Sequence, residues 1–149
     1  MMKRLAVLIM LVVGSILVSA CGGTQPVPFS ALPSFPAAAE LQPGQNAMAD
    51  SIADSMRSAL NEGLEAEIRT YELPAGTTFA EVQSYFSAQM TDSDWAVNEA
   101  LTTETETFST VGWQRGRDTS QQVLMLGYVP PILDAAPLLF VSLFGSRQS

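Results

Sequence analysis

The 149-residue sequence carries seven basic against fifteen acidic residues, no histidine and a single cysteine. A formal charge of −8 argues against non-specific nucleic-acid binding, which rests on neutralisation of phosphates by Lys and Arg. One cysteine without histidine excludes an internal disulfide, a thiolate paired with an imidazole base, and a Cys/His zinc site.

Lys3 and Arg4 precede an unbroken apolar run, Leu5 to Val13, which resumes at Ile16-Leu17-Val18. These are the charged and hydrophobic regions of a secretory signal. From Leu5 to Ala20 the stretch is 16 residues, shorter than the roughly 20 that a helix needs to cross about 30 Å of hydrocarbon.

Val18-Ser19-Ala20-Cys21, followed by Gly22-Gly23, resembles the lipobox of bacterial lipoproteins. The resemblance covers residues 1 to 23 and implies transfer of a diacylglyceryl group to the Cys21 thiol, cleavage between Ala20 and Cys21, and acylation of the new amino group. Burying acyl methylenes contributes about 0.8 kcal/mol each, so two chains make a stable anchor where one makes a reversible one. The implied location is the outer side of the cytoplasmic membrane, or the outer membrane.

Removal of residues 1–20 leaves five arginines, no lysine and all fifteen acidic residues, a formal charge of −10. Lipid rather than electrostatics must then hold the protein to its membrane. Residues 21–37 are rich in Gly and Pro and read as an extended tether, although Phe29, Leu32 and Phe35 imply that its second half packs on the domain. Residues 38–149 are expected to form one domain.

Met48, Ile52, Met56 and Leu60 recur at four, which predicts an amphipathic helix capped by Asn46 and stopped by Gly63. Leu64 to Tyr71 alternates apolar with charged, as a half-buried strand does. Pro74-Ala75-Gly76 turns the chain, and Thr78-Phe79-Ala80-Glu81 reads as a capping box opening a helix to about Thr91.

After Asp92-Ser93-Asp94 the pattern becomes strand-like. Trp95, Val97 and Leu101 share one parity, Thr107 to Arg115 is rich in β-branched and aromatic residues, and both Gln122 to Val129 and Leu138 to Phe144 are apolar on both parities. The expected fold is α+β, a two-layer sandwich in which an antiparallel sheet of about five strands carries two helices on one face.

Four constellations invite chemistry. Glu104 and Glu106, on one face of a strand, have a spacing compatible with glycoside hydrolysis, against the plainer reading of an exposed edge kept soluble by charge. Asp92-Ser93-Asp94 starts like a calcium loop, but Val97 stands where the sharp-turn glycine belongs and Thr103 where the bidentate glutamate belongs. Asp50 and Asp54 lie near Ser51, Ser55 and Ser58, yet nucleophilic serine needs a base and neither histidine nor lysine exists in the mature chain. Trp113, Arg115 and Arg117 gather an indole and two of the five mature positive charges, a candidate partner-binding patch.

No cofactor and no metal site is expected. The reading is a membrane-anchored, non-catalytic binding module of the cell envelope, attached through diacylglyceryl-Cys21, whose partner is an envelope protein or a small ligand and not nucleic acid. The alternatives are a carboxylate-dependent hydrolase of envelope polymer, and an accessory subunit of a membrane complex in which another chain completes the apolar C-terminal strand.

Overall fold

The computed structural model describes residues 25–146; the segment expected to be a signal, with Ala20 and Cys21, lies outside the described residues. The α+β class holds. A single antiparallel sheet comprises β1 (Ala39–Leu41), β2 (Leu64–Glu72), β3 (Ala96–Val97), β4 (Ser109–Arg115), β5 (Gln122–Val129) and β6 (Leu138–Ser146), in the order β1-β2-β6-β5-β4-β3. Two helices accompany it, α1 (Ala47–Ser58) and α2 (Phe79–Met90).

Both helices start where the sequence says. The Asn46 side chain accepts from the Ala49 amide at 3.0 Å. At α2 the Thr78 hydroxyl accepts from the Glu81 amide at 3.3 Å, while the Glu81 carboxylate accepts from the Thr78 amide at 2.7 Å. Each cap satisfies amides that the first helical turn leaves without partners.

The register explains why β5 and β6 are apolar on both parities. One row across the sheet runs Glu67, Leu143, Leu124, Trp113 and Val97; the next runs Ile68, Ser142, Met125 and Gly112 on the opposite face. The first face packs against Val82, Phe86 and Met90 of α2, and the second packs Ile68 and Phe140 against Ala49 and Ala53 of α1. The two helices therefore lie on opposite faces, not on one, and the sheet is the middle of three layers. A central strand apolar on both sides requires cover on both.

Two further departures from expectation concern the edges. The short β1 adds a sixth strand by pairing Glu40 with Tyr71. On the other side β3 ends after two residues, and Asn98 caps the Ala100 amide at 3.1 Å to open a 3-10 turn, Glu99–Leu101. That turn breaks the strand parity and carries Leu101 across to the opposite face, above Gly112.

Residues 25–38 form a strap over the α2 side of the sheet. Phe29 and Leu32 are buried in the larger core cluster, with Val27, Phe35 and Ala38 packed against it. The fold accordingly begins well before residue 38. Leu64, Arg115, Gln122 and Ser146 mark one end of the sheet, and Glu72, Ser109, Val129 and Leu138 the other.

Candidate functional site

The strap and the sheet enclose a cleft of about 360 Å3. Its roof comes from Phe29, Leu32 and Phe35, its floor from Arg69, Tyr71 and Leu139. Phe86 of α2 reaches it from the side. The size falls toward the lower end of small-ligand sites, which are mostly apolar with a few convergent polar groups.

The polar groups belong to β2 and β1. Arg69 stacks on the Phe29 ring at 4.5 Å from its centroid, donates to the Glu67 carboxylate at 2.7 and 3.0 Å, and lies 3.7 Å from that of Glu40. Burial, reinforced by the nearby Glu40 charge, pushes the Tyr71 phenol above its ordinary value, so it remains a neutral hydroxyl. With two carboxylates around one guanidinium, an anionic ligand group would have to displace Glu67 from Arg69. A neutral or apolar body meets no such competition.

The strap is fastened at both ends of the cleft. Near its far end the Tyr85 hydroxyl donates to the Ser34 carbonyl at 2.7 Å, and the Phe35 and Tyr85 rings meet edge to face with centroids 5.3 Å apart. At its start, Arg115 donates to the Gln25 carbonyl at 2.8 Å and to Gln122 Oε1 at 3.0 Å. Gln122 in turn closes a two-bond pair with Val27, accepting from its amide at 2.8 Å and donating to its carbonyl at 3.0 Å. Asp94 accepts from Arg115 at 2.6 and 3.1 Å, and the Arg115 hydrogen bond holds its carboxyl below the usual range.

This arrangement takes apart the patch expected at 113–117. Strand alternation turns Trp113 and Arg115 to the same face, which here is the covered one. Trp113 sits in the core against Phe86, with ring centroids 6.4 Å apart, and Arg115 is only 8 % exposed. Arg117 alone is exposed, on the hairpin after Gly116. That glycine has φ +70°, and a Cβ there would collide with the Ser120 carbonyl.

The other constellations also have local partners or open positions. Glu104 and Glu106 are exposed in the turn between the isolated Thr103 bridge and β4, not side by side on a strand. Asp50 accepts from the Gly44 amide at 2.9 Å, and Asp54 pairs with Arg57 at 2.9 Å. No group of three or more His, Cys, Asp or Glu residues suited to a metal ion occurs among the described residues. β6, expected as a strand that another chain might complete, has β2 and β5 hydrogen-bonded on its two sides.

Arg69 and Tyr71 escaped sequence reasoning because the charged parity of β2 reads as the solvent side, and Glu40 because the short β1 shows no strand pattern. The signal was present in the strap: three large apolar residues, Phe29, Leu32 and Phe35, need a surface to cover. Compared with protein-family models, with curated proteins and with solved structures, the chain matches none.

Proposed function

We propose that the chain is a lipid-anchored protein of the bacterial envelope whose folded domain is a non-catalytic binding module. It is held to the outer side of the cytoplasmic membrane, or to the outer membrane, by diacylglyceryl-Cys21. The observation that carries the reading is the fastening of Gln25 and Val27 onto the sheet by Arg115 and Gln122. Only four residues beyond the lipobox cysteine the chain is already part of the fold, and it continues as the roof of an aromatic-walled cleft. Anchor and binding site are thus built from one segment. The ligand that suits the cleft is small and neutral, with polar as well as apolar groups.

Mass spectrometry of protein extracted from membranes tests the anchor. A mature chain starting at Cys21 with diacylglyceryl mass is expected; a free thiol, or a start elsewhere, overturns it. Native mass spectrometry of the same extract tests the cleft. A co-purifying small molecule should be lost from a folded Ala38→Trp protein, whose indole would occupy the cleft, and retention of that molecule would place its site elsewhere.

A further inference from the structure

The face of the sheet that carries α1 is not covered along its whole length. α1 lies over Ile68 and Phe140, and the 3-10 turn lays Leu101 over Gly112. Between them, at the Leu64 end, an apolar groove of about 410 Å3 stays open, lined by Leu60, Leu64, Val123, Met125 and Phe144. Leu64 is 40 % exposed.

This groove lies at the end of the sheet where the strap begins. Gln25 is held there by Arg115, and Pro26 lines a second cleft at the same end with Gln122 and Ser146. From Cys21 to Gln25 the chain takes four steps, which span at most about 14 Å at about 3.6 Å per residue. The opposite end of the sheet is eight residues further along β6, about 26 Å at roughly 3.3 Å per residue. The strap starts on the α2 face and the groove opens on the α1 face, but both meet at this end of the sheet, and the groove is the open apolar surface of the α1 face that lies there.

We propose, on the reading that Cys21 carries lipid, that this end of the sheet rests on the bilayer holding the anchor, with the Leu60 to Leu64 turn and Phe144 facing the lipid. The short leash confines the groove at an effective concentration of order millimolar, so weak apolar contact suffices once the lipid is inserted. Asp118 lines the groove and Glu62 lies in the turn between Leu60 and Leu64, and their charge selects zwitterionic over anionic headgroups. The loops around Ala75 and Ile132 at the opposite end then point away from the membrane.

The test uses the full lipidated protein in phosphatidylcholine vesicles. The Cys21 thiol is consumed by lipid, so a single new cysteine at Leu64, Thr119, Ala75 or Ile132 accepts an environment-sensitive fluorophore. A headgroup-bound nitroxide should quench the labels at Leu64 and Thr119 several-fold more than those at Ala75 and Ile132. Equal quenching at all four sites, stronger quenching at Ile132, or protection of Leu64 that rises with protein density and so reports a second copy, each overturns the proposal.

A flexible insertion of about 20 Gly/Ser residues after Gly23 should keep the lipid and lower the quenching at Leu64; unchanged quenching would show that the leash does not place the domain. The intact mass of every variant reports acylation separately. Loss of the acyl mass refutes the anchor reading and this one with it, whereas retained acylation with the wrong quenching pattern refutes this one alone. Thr119 lies in an exposed hairpin and carries the same comparison if Leu64→Cys perturbs the fold.

Discussion

Arg115 reaches the Gln25 carbonyl at 2.8 Å across 90 residues of sequence, and the same guanidinium is forked onto Asp94. An arginine that is 8 % exposed, with acceptors on three segments, is a structural bracket and not a surface charge. Arg115→Ala leaves the Gln25 carbonyl and Gln122 Oε1 short of a donor, so a loss of about 2–4 kcal/mol is expected. Arg117→Ala, at an exposed position, should stay within about 0.5 kcal/mol of wild type. Urea midpoints compare the two, and hydrogen exchange at the Val27 amide should accelerate only in the first.

The bracket has an acid limit. The hydrogen bond from Arg115 lowers the Asp94 pKa below its ordinary 3.8. A carboxyl with a depressed folded pKa contributes stability that is fully present above its unfolded pKa and is lost as pH falls through its folded pKa. Stability should accordingly be insensitive to Asp94 from neutral pH down to about 4 and should fall below that, by a modest amount because the side chain is largely exposed. Asp94→Asn should flatten this acid limb. An unchanged limb in pH-dependent urea titrations would show that other carboxyls set it.

A chain beginning at Ala38, the boundary that composition alone suggests, should not fold cooperatively. It lacks Phe29 and Leu32 of the core cluster and leaves Arg115 without the Gln25 carbonyl. Losing a buried Phe alone typically costs about 3–5 kcal/mol, a large part of the stability of a domain this size. Circular dichroism and urea unfolding against a chain beginning at Cys21 would decide. Comparable stability in the two would reduce the strap to a passive covering.

Much of the architecture was legible because it is local. Asn46 and the Thr78-Glu81 box start their helices by hydrogen bonds three residues away, and the alternation of β2 follows from a single strand's geometry. The distribution of the helices is not local. Each helix shows an apolar stripe without saying which sheet face it will meet, and only the double-sided apolar pattern of Leu138 to Phe144 carries that information. The cleft was less legible still, since Arg69 and Tyr71 look solvent-facing until a distant strap covers them.

Two strand glycines separate backbone from side-chain crowding. A Cβ at Gly112 would stand 2.6 and 2.8 Å from Leu101 Cδ1 and Cβ, so the 3-10 turn itself must shift. A Cβ at Gly127 would meet the Phe108 Cζ at 2.7 Å, and that ring tip can swing aside. Overpacking costs about 1–3 kcal/mol where the neighbour cannot yield. Gly112→Ala should therefore be clearly more destabilising than Gly127→Ala in urea unfolding. The reverse order would mean that Phe108 is held more rigidly than the turn.

Leu133 stands at the end of the sheet away from the strap's start, 96 % exposed and with φ +57°. The turn around it is closed by the Ala135 amide donating to the Ile132 carbonyl at 3.1 Å. The left-handed conformation costs an ordinary L-residue about 1–2 kcal/mol, and a side chain this exposed recovers almost nothing by packing. Asparagine tolerates the same backbone conformation because its short amide can bond locally, and it avoids the extra unfolded-state entropy that glycine would bring. Leu133→Asn should then raise stability by about 1 kcal/mol with the fold unchanged, measured as a higher urea midpoint at constant slope. A lower midpoint would show that the leucine is covered in solution, and its dependence on protein concentration would tell whether a second copy of the chain does the covering.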